Sequence, residues 1–428
     1  MTDRQPVEKE RIMKNKTNYG KFLLLWSGEL VSAIGGGMTS FGLGVYVFNL
    51  TGSAGSMALV TLLAFLPALL LSAPAGVLAD RYDRRLLMML GDGLSALGLV
   101  YILLCMRKGE AGLYEIGIGV GIGSVFSSLL EPAYRATITD LLTPEEYAKA
   151  SGMVSLAGSA RYLISPLLAG LLLSVADIRL LLRIDIATFF LTAVCTAAVR
   201  RGLEAGRTER NESFRQSFRA GWEAVAGNRG VLVLVLVSSC ITCFMGVLQI
   251  LSEPMILSFA DSRTLGVAET VCASGMLVSG LLLGVRGMKG HYVRTLRTSL
   301  AAAGAAMIGF GCRENIVVIC AFGFLFFFML PFCNGCLDYL TRTNIDADRQ
   351  GRAWGLISFL SQIGYVFAYG IAGRLADGLA ASRHMTVGRG AARIIMTAGV
   401  LMIAAAVSLG MFKGLRSLEK NEKTTDLE

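Results

Sequence analysis

Of the 428 residues in this chain, 54% are hydrophobic and only 17% are charged, with a mean hydropathy of +0.59. Soluble globular chains carry roughly 25% charged residues, so these values exclude an ordinary soluble fold and point to a chain dissolved in a bilayer. The net charge of +9 lies on no soluble basic domain, which excludes a nucleic-acid footprint as its meaning.

Residues 1–21 are polar and lack the apolar core of a signal peptide, so they are expected to stay as a cytoplasmic tail. A helix needs about 20 apolar residues to cross the hydrocarbon. About twelve such segments are predicted, at 22–48, 55–79, 86–106, 112–136, 150–175, 178–200, 231–257, 265–289, 294–312, 315–343, 351–377 and 391–411. The expected fold is therefore an all-α membrane protein. Its parts are a tail (1–21), a first six-helix bundle (22–200), a linker (201–229), a second bundle (230–411) and a second tail (412–428). The linker is rich in Arg and Glu, with an amphipathic piece around Phe214–Val225. With both termini cytoplasmic, most of the 40 Lys and Arg residues fall on the cytoplasmic side, as the positive-inside rule requires.

Between the second and third segments lies Gly76-Val77-Leu78-Ala79-Asp80-Arg81-Tyr82-Asp83-Arg84-Arg85. Five charges in so short a loop are costly unless they pair with each other or with helix ends. The pattern Gly-x-x-x-Asp-Arg-x-x-Arg-Arg resembles the signature loop between helices 2 and 3 of the major facilitator superfamily of secondary transporters. Leu25-Trp26-Ser27-Gly28-Glu29, Leu50-Thr51-Gly52-Ser53, Pro132-Ala133, Asp140-Leu141, Ile184-Asp185 and Gln350-Gly351-Arg352 look like its macrolide- and siderophore-exporter branch. That branch implies proton-coupled export of amphipathic small molecules. Ser165-Pro166-Leu167-Leu168-Ala169-Gly170 is similar to an antiporter element of helix 5, with Ser and Ala in place of two glycines.

The segments after Lys149 and after Arg352 align at one constant offset: Gly152 falls on Gly355, Ser155 on Ser358, Tyr162 on Tyr365 and Gly170 on Gly373. Two pseudo-symmetric halves are expected, as in the superfamily. The second-half counterpart of the signature loop is placed at 284–291, which has lost the Asp.

Ionisable residues inside membrane segments call for a partner or a role. Glu29, Glu131 and Arg161 lie roughly 10 Å or a little more from the cytoplasmic side, counting 1.5 Å per residue. In the resembled family the first and fourth helices line the central cavity. Glu131 is the first choice for proton coupling, Glu29 the second, and Arg161 the group that tunes them; a static ion pair is the alternative for Glu29 and Arg161. Asp92 and Asp185 are expected to be structural, and Glu253 and Glu269 to lie solvated near the outer ends. Gating is assigned to Gly76, Asp80, Arg81, Arg84, Arg85 and Asp140. Arg84 is expected to reach Asp140, and Asp80 to face the start of the eleventh segment near Gly351–Ala353. Arg135 and Asp338 are a candidate gate pair.

Gly117, Gly119, Gly121 and Gly123 read as a helix contact rather than a nucleotide fingerprint, since no strand precedes them. Cys240/Cys243 and Cys333/Cys336 have a metal or redox spacing but no neighbouring His, so they read as packing. The expectation is no metal, no cofactor and no catalytic residue. With only His291 and His384 available and no nucleophile–base pair, an enzyme is disfavoured. The absence of a Gly-x-x-x-x-Gly-Lys-Ser/Thr loop excludes an ATP-driven pump on this chain alone. The expected function is secondary export of a drug-, macrolide- or siderophore-like compound by proton antiport. The expected setting is the plasma (inner) membrane, as a monomer, with no nucleic-acid partner. A lipid or lysolipid flippase, or an importer, is the competing reading.

Overall fold

In the computed structural model, residues 5–107, 109–201, 222, 223, 225, 227, 229–288, 290–345 and 347–411 are described. The stretch 214–221 of the expected amphipathic linker piece lies outside them, as do residues 412–428. Every long element among the described residues is an α-helix: α1 (Gln5–Thr51), α2 (Ala54–Arg81), α3 (Arg84–Arg107), α4 (Leu113–Ser127), α5 (Leu130–Leu141), α6 (Tyr147–Leu163), α7 (Ser165–Leu173), α8 (Ile178–Arg200), α9 (Arg229–Leu257), α10 (Ser262–Arg286), α11 (Tyr292–Cys312), α12 (Ile316–Thr343), α13 (Ala347–Ser382) and α14 (Val387–Leu409). A one-turn 3-10 helix, Pro144–Glu146, precedes α6.

Each apolar segment recurs as a helix or as two consecutive pieces. Among the described residues, eleven spans are long and apolar enough to cross a membrane, with α4–α5 and α6–α7 each counting as one. The remaining long helix, α11, has 21 residues and carries Arg294 and Arg297 in its first two turns. Local chemistry sets the ends. Asp261 Oδ1 accepts from Thr264 N at 2.9 Å and caps α10, and Asn315 Oδ1 caps α12 through Val317 N and Val318 N. Gly287 ends α10 with φ +64°, a left-handed value glycine adopts without a Cβ penalty.

Two predicted segments are interrupted. The fourth breaks at Ser128–Leu129 and the fifth at Ile164. In each case a proline lies shortly beyond the break, Pro132 and Pro166. It lacks an N–H, and its ring crowds the carbonyl four residues earlier. Pro67, Pro74, Pro254 and Pro331 are carried inside continuous helices.

The chain divides into two compact units, residues 1–43 with 63–210, and residues 44–62 with 211–428. One division falls within 201–229, and the turn joining α1 and α2 goes with the second unit. In the first unit α3 packs on α4, α5 and α8. A Cβ at Gly98 would strike the backbone carbonyl of Gly119, so α3 and α4 touch backbone to backbone. Gly119 thus bears out the helix-contact reading, whereas Gly121 faces open space. In the second unit α9 packs on α13 and α14, α10 on α12, and α11 on α12 and α14. Cys333 and Cys336 are fully buried in α12.

Candidate functional site

The loop between α2 and α3 is held by its own charges. Arg84 Nη1 donates to Asp140 Oδ1 at 2.6 Å and to Ala136 O at 3.1 Å, while its Nε donates to Ala79 O at 3.2 Å. One guanidinium thus joins the end of α2, the start of α3 and the end of α5. Orphan carbonyls at helix C-termini are natural partners for such a cation. Arg85, 4% exposed, approaches Asp140 Oδ2 at 3.9 Å. Asp83 Oδ1 accepts from Arg85 N at 3.1 Å, and its Oδ2 accepts from Arg200 Nε at 2.8 Å at the end of α8. The structure therefore brings together Arg84, Arg85 and Asp140. Asp80 and Arg81 are exposed, and a Cβ at Gly76 would meet nothing within 4 Å. The side chains of Gln350, Gly351 and Arg352 lie outside the described residues.

Helix α1 is fastened within the first unit by three polar ties. Trp26 Nε1 donates to Met153 O at 2.7 Å, Thr192 Oγ1 to Gly28 O at 3.2 Å and Ser165 Oγ to Ile34 O at 2.9 Å. These ties run from the stretch of α1 that carries Glu29 to α6, α8 and α7. Glu29 lies within electrostatic reach of Arg161 and Glu131, and Arg161 also reaches Asp185. Asp92 and Asp185 are 1% and 2% exposed. Thr188 Oγ1 donates to Asp185 Oδ1 at 3.3 Å, and Asp92 Oδ2 is buried without a hydrogen-bond partner.

Glu131 differs from its expectation. Its side chain is 73% exposed and forms an i,i+4 ion pair at 2.9 Å with Arg135, itself 68% exposed. The reason is register. The buried face of α5 is Ala133, Tyr134, Thr137, Ile138 and Leu141, so positions 131 and 135 fall on the opposite face. Asp338 is exposed, and the charge that acts on it is Arg342, one turn along α12.

Two functional candidates escaped sequence reasoning. Glu253, expected to be solvated, has Oε2 buried without a partner. Its carboxylate lies where a Cβ on Gly44 would have to go. Asp377 accepts hydrogen bonds from the backbone of Ala54 and Gly55. Ordinary-looking acids near helix ends gave no pattern for Glu253. For Asp377 a signal existed, because Ala372-Gly373-Arg374-Leu375-Ala376-Asp377 echoes Ala75-Gly76-Val77-Leu78-Ala79-Asp80.

Comparison with known proteins places this geometry. The chain is 26% identical over 412 residues to macrolide efflux protein A of Streptococcus pyogenes, covering 93% of this chain and 97% of that protein. It is 24% identical over 390 residues to the multidrug efflux pump Tap of Mycobacterium bovis, covering 87% and 90%. The nucleoside transporter NupG shares the fold with a TM-score of 0.72 at 13% identity, covering 92% of this chain and all of that one. A bacterial homologue of the lysosomal transporter Spinster also matches with a TM-score of 0.72, at 14% identity, covering 94% and 98%. The family model for the Major Facilitator Superfamily matches residues 25–369. With that match spanning most of its length, the chain belongs to the Major Facilitator Superfamily and is a multi-pass membrane transporter, not an enzyme.

Proposed function

We propose that this transporter exports small amphipathic compounds of the macrolide or drug type by proton antiport, through alternating access of two six-helix bundles. The observation that carries the reading is end-to-end similarity to efflux proteins in a chain that also holds carboxylates inside its membrane helices. Such groups are costly in a bilayer unless they serve an ion pathway. The coupling group is Glu29, Glu131 and Arg161. Glu29 is the member enclosed by helices, and Glu131 can enter only by leaving Arg135. The Asp80–Arg81–Arg84–Arg85 loop with Asp140 gates the cytoplasmic side, and Arg135 exchanges Glu131 for Asp338 when that side closes. The protein works as a monomer in the plasma membrane with both termini in the cytoplasm.

The test uses purified protein in proteoliposomes with radiolabelled erythromycin. An imposed pH gradient is expected to drive accumulation, and a proton ionophore to abolish it. Erythromycin movement indifferent to the gradient would refute antiport, and no movement of it would refute the substrate class.

A further inference from the structure

The first four N–H groups of a helix have no partner inside that helix, and in α2 all four can be traced. Ser53 satisfies two of them: Ser56 N donates to Ser53 Oγ at 3.0 Å, and Met57 N to Ser53 O at 3.4 Å. The other two depend on a distant residue. Ala54 N donates to Asp377 Oδ1 at 3.0 Å and Gly55 N to Asp377 Oδ2 at 2.9 Å. Ser53 Oγ also donates to Asp377 Oδ2, at 2.6 Å. Asp377 lies in the last turns of α13, and the fit there is close. A Cβ on Gly373 would run into the main chain of Ala54.

The sequence echoes this stretch. Asp377 closes the hexapeptide Ala-Gly-Arg-Leu-Ala-Asp at 372–377, and Asp80 closes Ala-Gly-Val-Leu-Ala-Asp at 75–80, a single change in six positions. The first stands near the C-terminal end of α13 and the second at that of α2.

We propose that Asp377 is a gating residue: a clasp on the N-terminus of α2 that is closed in one state of the transport cycle and open in another. Its hexapeptide echoes the one that Asp80 closes at the end of α2. The arrangement suits repeated opening. When Asp377 leaves, Ser53 still caps two of the four donors, so α2 keeps its first turn while Ala54 N and Gly55 N pass to water. A negative charge at a helix N-terminus is favourable, and a contact of a few hydrogen bonds can be remade in every cycle. The proposal rests on the transporter assignment, not on the substrate or the coupling ion.

Two measurements on the full-length protein test it. First, hydrogen exchange is read at Ala54 and Gly55 in wild type and Asp377→Asn. Loss of charge-assisted bonds is expected to speed exchange roughly 10- to 100-fold there. Unchanged exchange overturns the proposal. Second, Ser53→Cys is combined with Asp377→Cys and cross-linked with a short thiol-reactive bridge, beside a parent carrying only the native cysteines. Locking the clasp is expected to stop whatever erythromycin transport the unlinked double-cysteine protein retains, and cleavage of the bridge to return it to that level rather than to the parent's; if the unlinked protein retains none, exchange alone decides. Full transport by the locked protein would mean a static cap and sink the idea. If the parent does not move erythromycin, the substrate reading fails separately, and exchange alone decides. Locked protein must then protect Ala54 and Gly55 more than the cleaved form does, and equal protection again means a static cap.

Discussion

Replacing Arg84 by Ala removes three contacts at one stroke. The ion pair with Asp140, at 2.6 Å between groups 12% and 29% exposed, is partly screened, so about 1 kcal/mol is a fair share for it. The bonds to Ala136 O and Ala79 O add about 1 kcal/mol each. Arg85 remains near Asp140 and can recover part of the first loss. The net expectation is destabilisation by about 2–3 kcal/mol, felt first where α2, α3 and α5 meet. Arg84→Lys keeps the charge but not the planar fork, and should lose about half as much. The measurement is equilibrium unfolding in mixed micelles, with hydrogen exchange over 136–142 as the local readout. A double-mutant cycle with Asp140→Asn isolates the pair. The reasoning is refuted if Arg84→Ala costs under about 0.5 kcal/mol, or if the two substitutions are strictly additive.

Two further expectations follow from packing and capping. Gly98→Ala pushes a methyl into the Gly119 carbonyl and should cost about 1–3 kcal/mol or more through overpacking, whereas Gly121→Ala, with open space around it, should be near neutral; thermal unfolding of the two compares them directly. At Asp261, the hydrogen bonds from Thr264 hold the carboxyl below its ordinary range. A carboxylate depressed in the folded state contributes stability above its unfolded value and loses it as pH falls through the folded one. Asp261→Ala should therefore lower stability by about 0.5 kcal/mol at pH 7 and make no difference in acid once the wild-type carboxyl is protonated; a gap between the two proteins that persists in acid would contradict this.

Hydropathy made the helices legible because a bilayer imposes one length and one composition on every span. Charge spacing in the short loop between α2 and α3 made the Arg84–Asp140 contact legible as well, since those groups had few partners within reach. The interruptions at Ser128–Leu129 and Ile164 were not placed, although Pro132 and Pro166 were visible. Pro67, Pro74, Pro254 and Pro331 are absorbed without a break, so proline alone does not decide. The pairing of Glu131 with Arg135 was not read, because depth along a helix was counted without its rotation. One position further on the wheel, Pro132 and Ala133 turn toward the interior. Glu253 was misjudged for the opposite reason: closeness to a helix end suggested water, but Gly44, lacking a side chain, leaves room for its carboxylate. Asp377 was missed because halves were compared at a single offset, and its likeness to Asp80 obeys a different one.

Helix α11 carries a consequence for biosynthesis. With Arg294 and Arg297 near its start, it is the long helix among the described residues that does not qualify as an apolar span. Arg297 Nε donates to Ala406 O at 3.3 Å on α14, which is made after it. When α11 leaves the ribosome, that acceptor does not yet exist. The helix must wait at the membrane interface, or in the insertion machinery, until α14 arrives. Chains ending before residue 387 should thus leave α11 unanchored and open to quality-control proteolysis, even though nothing in α11 itself has been altered.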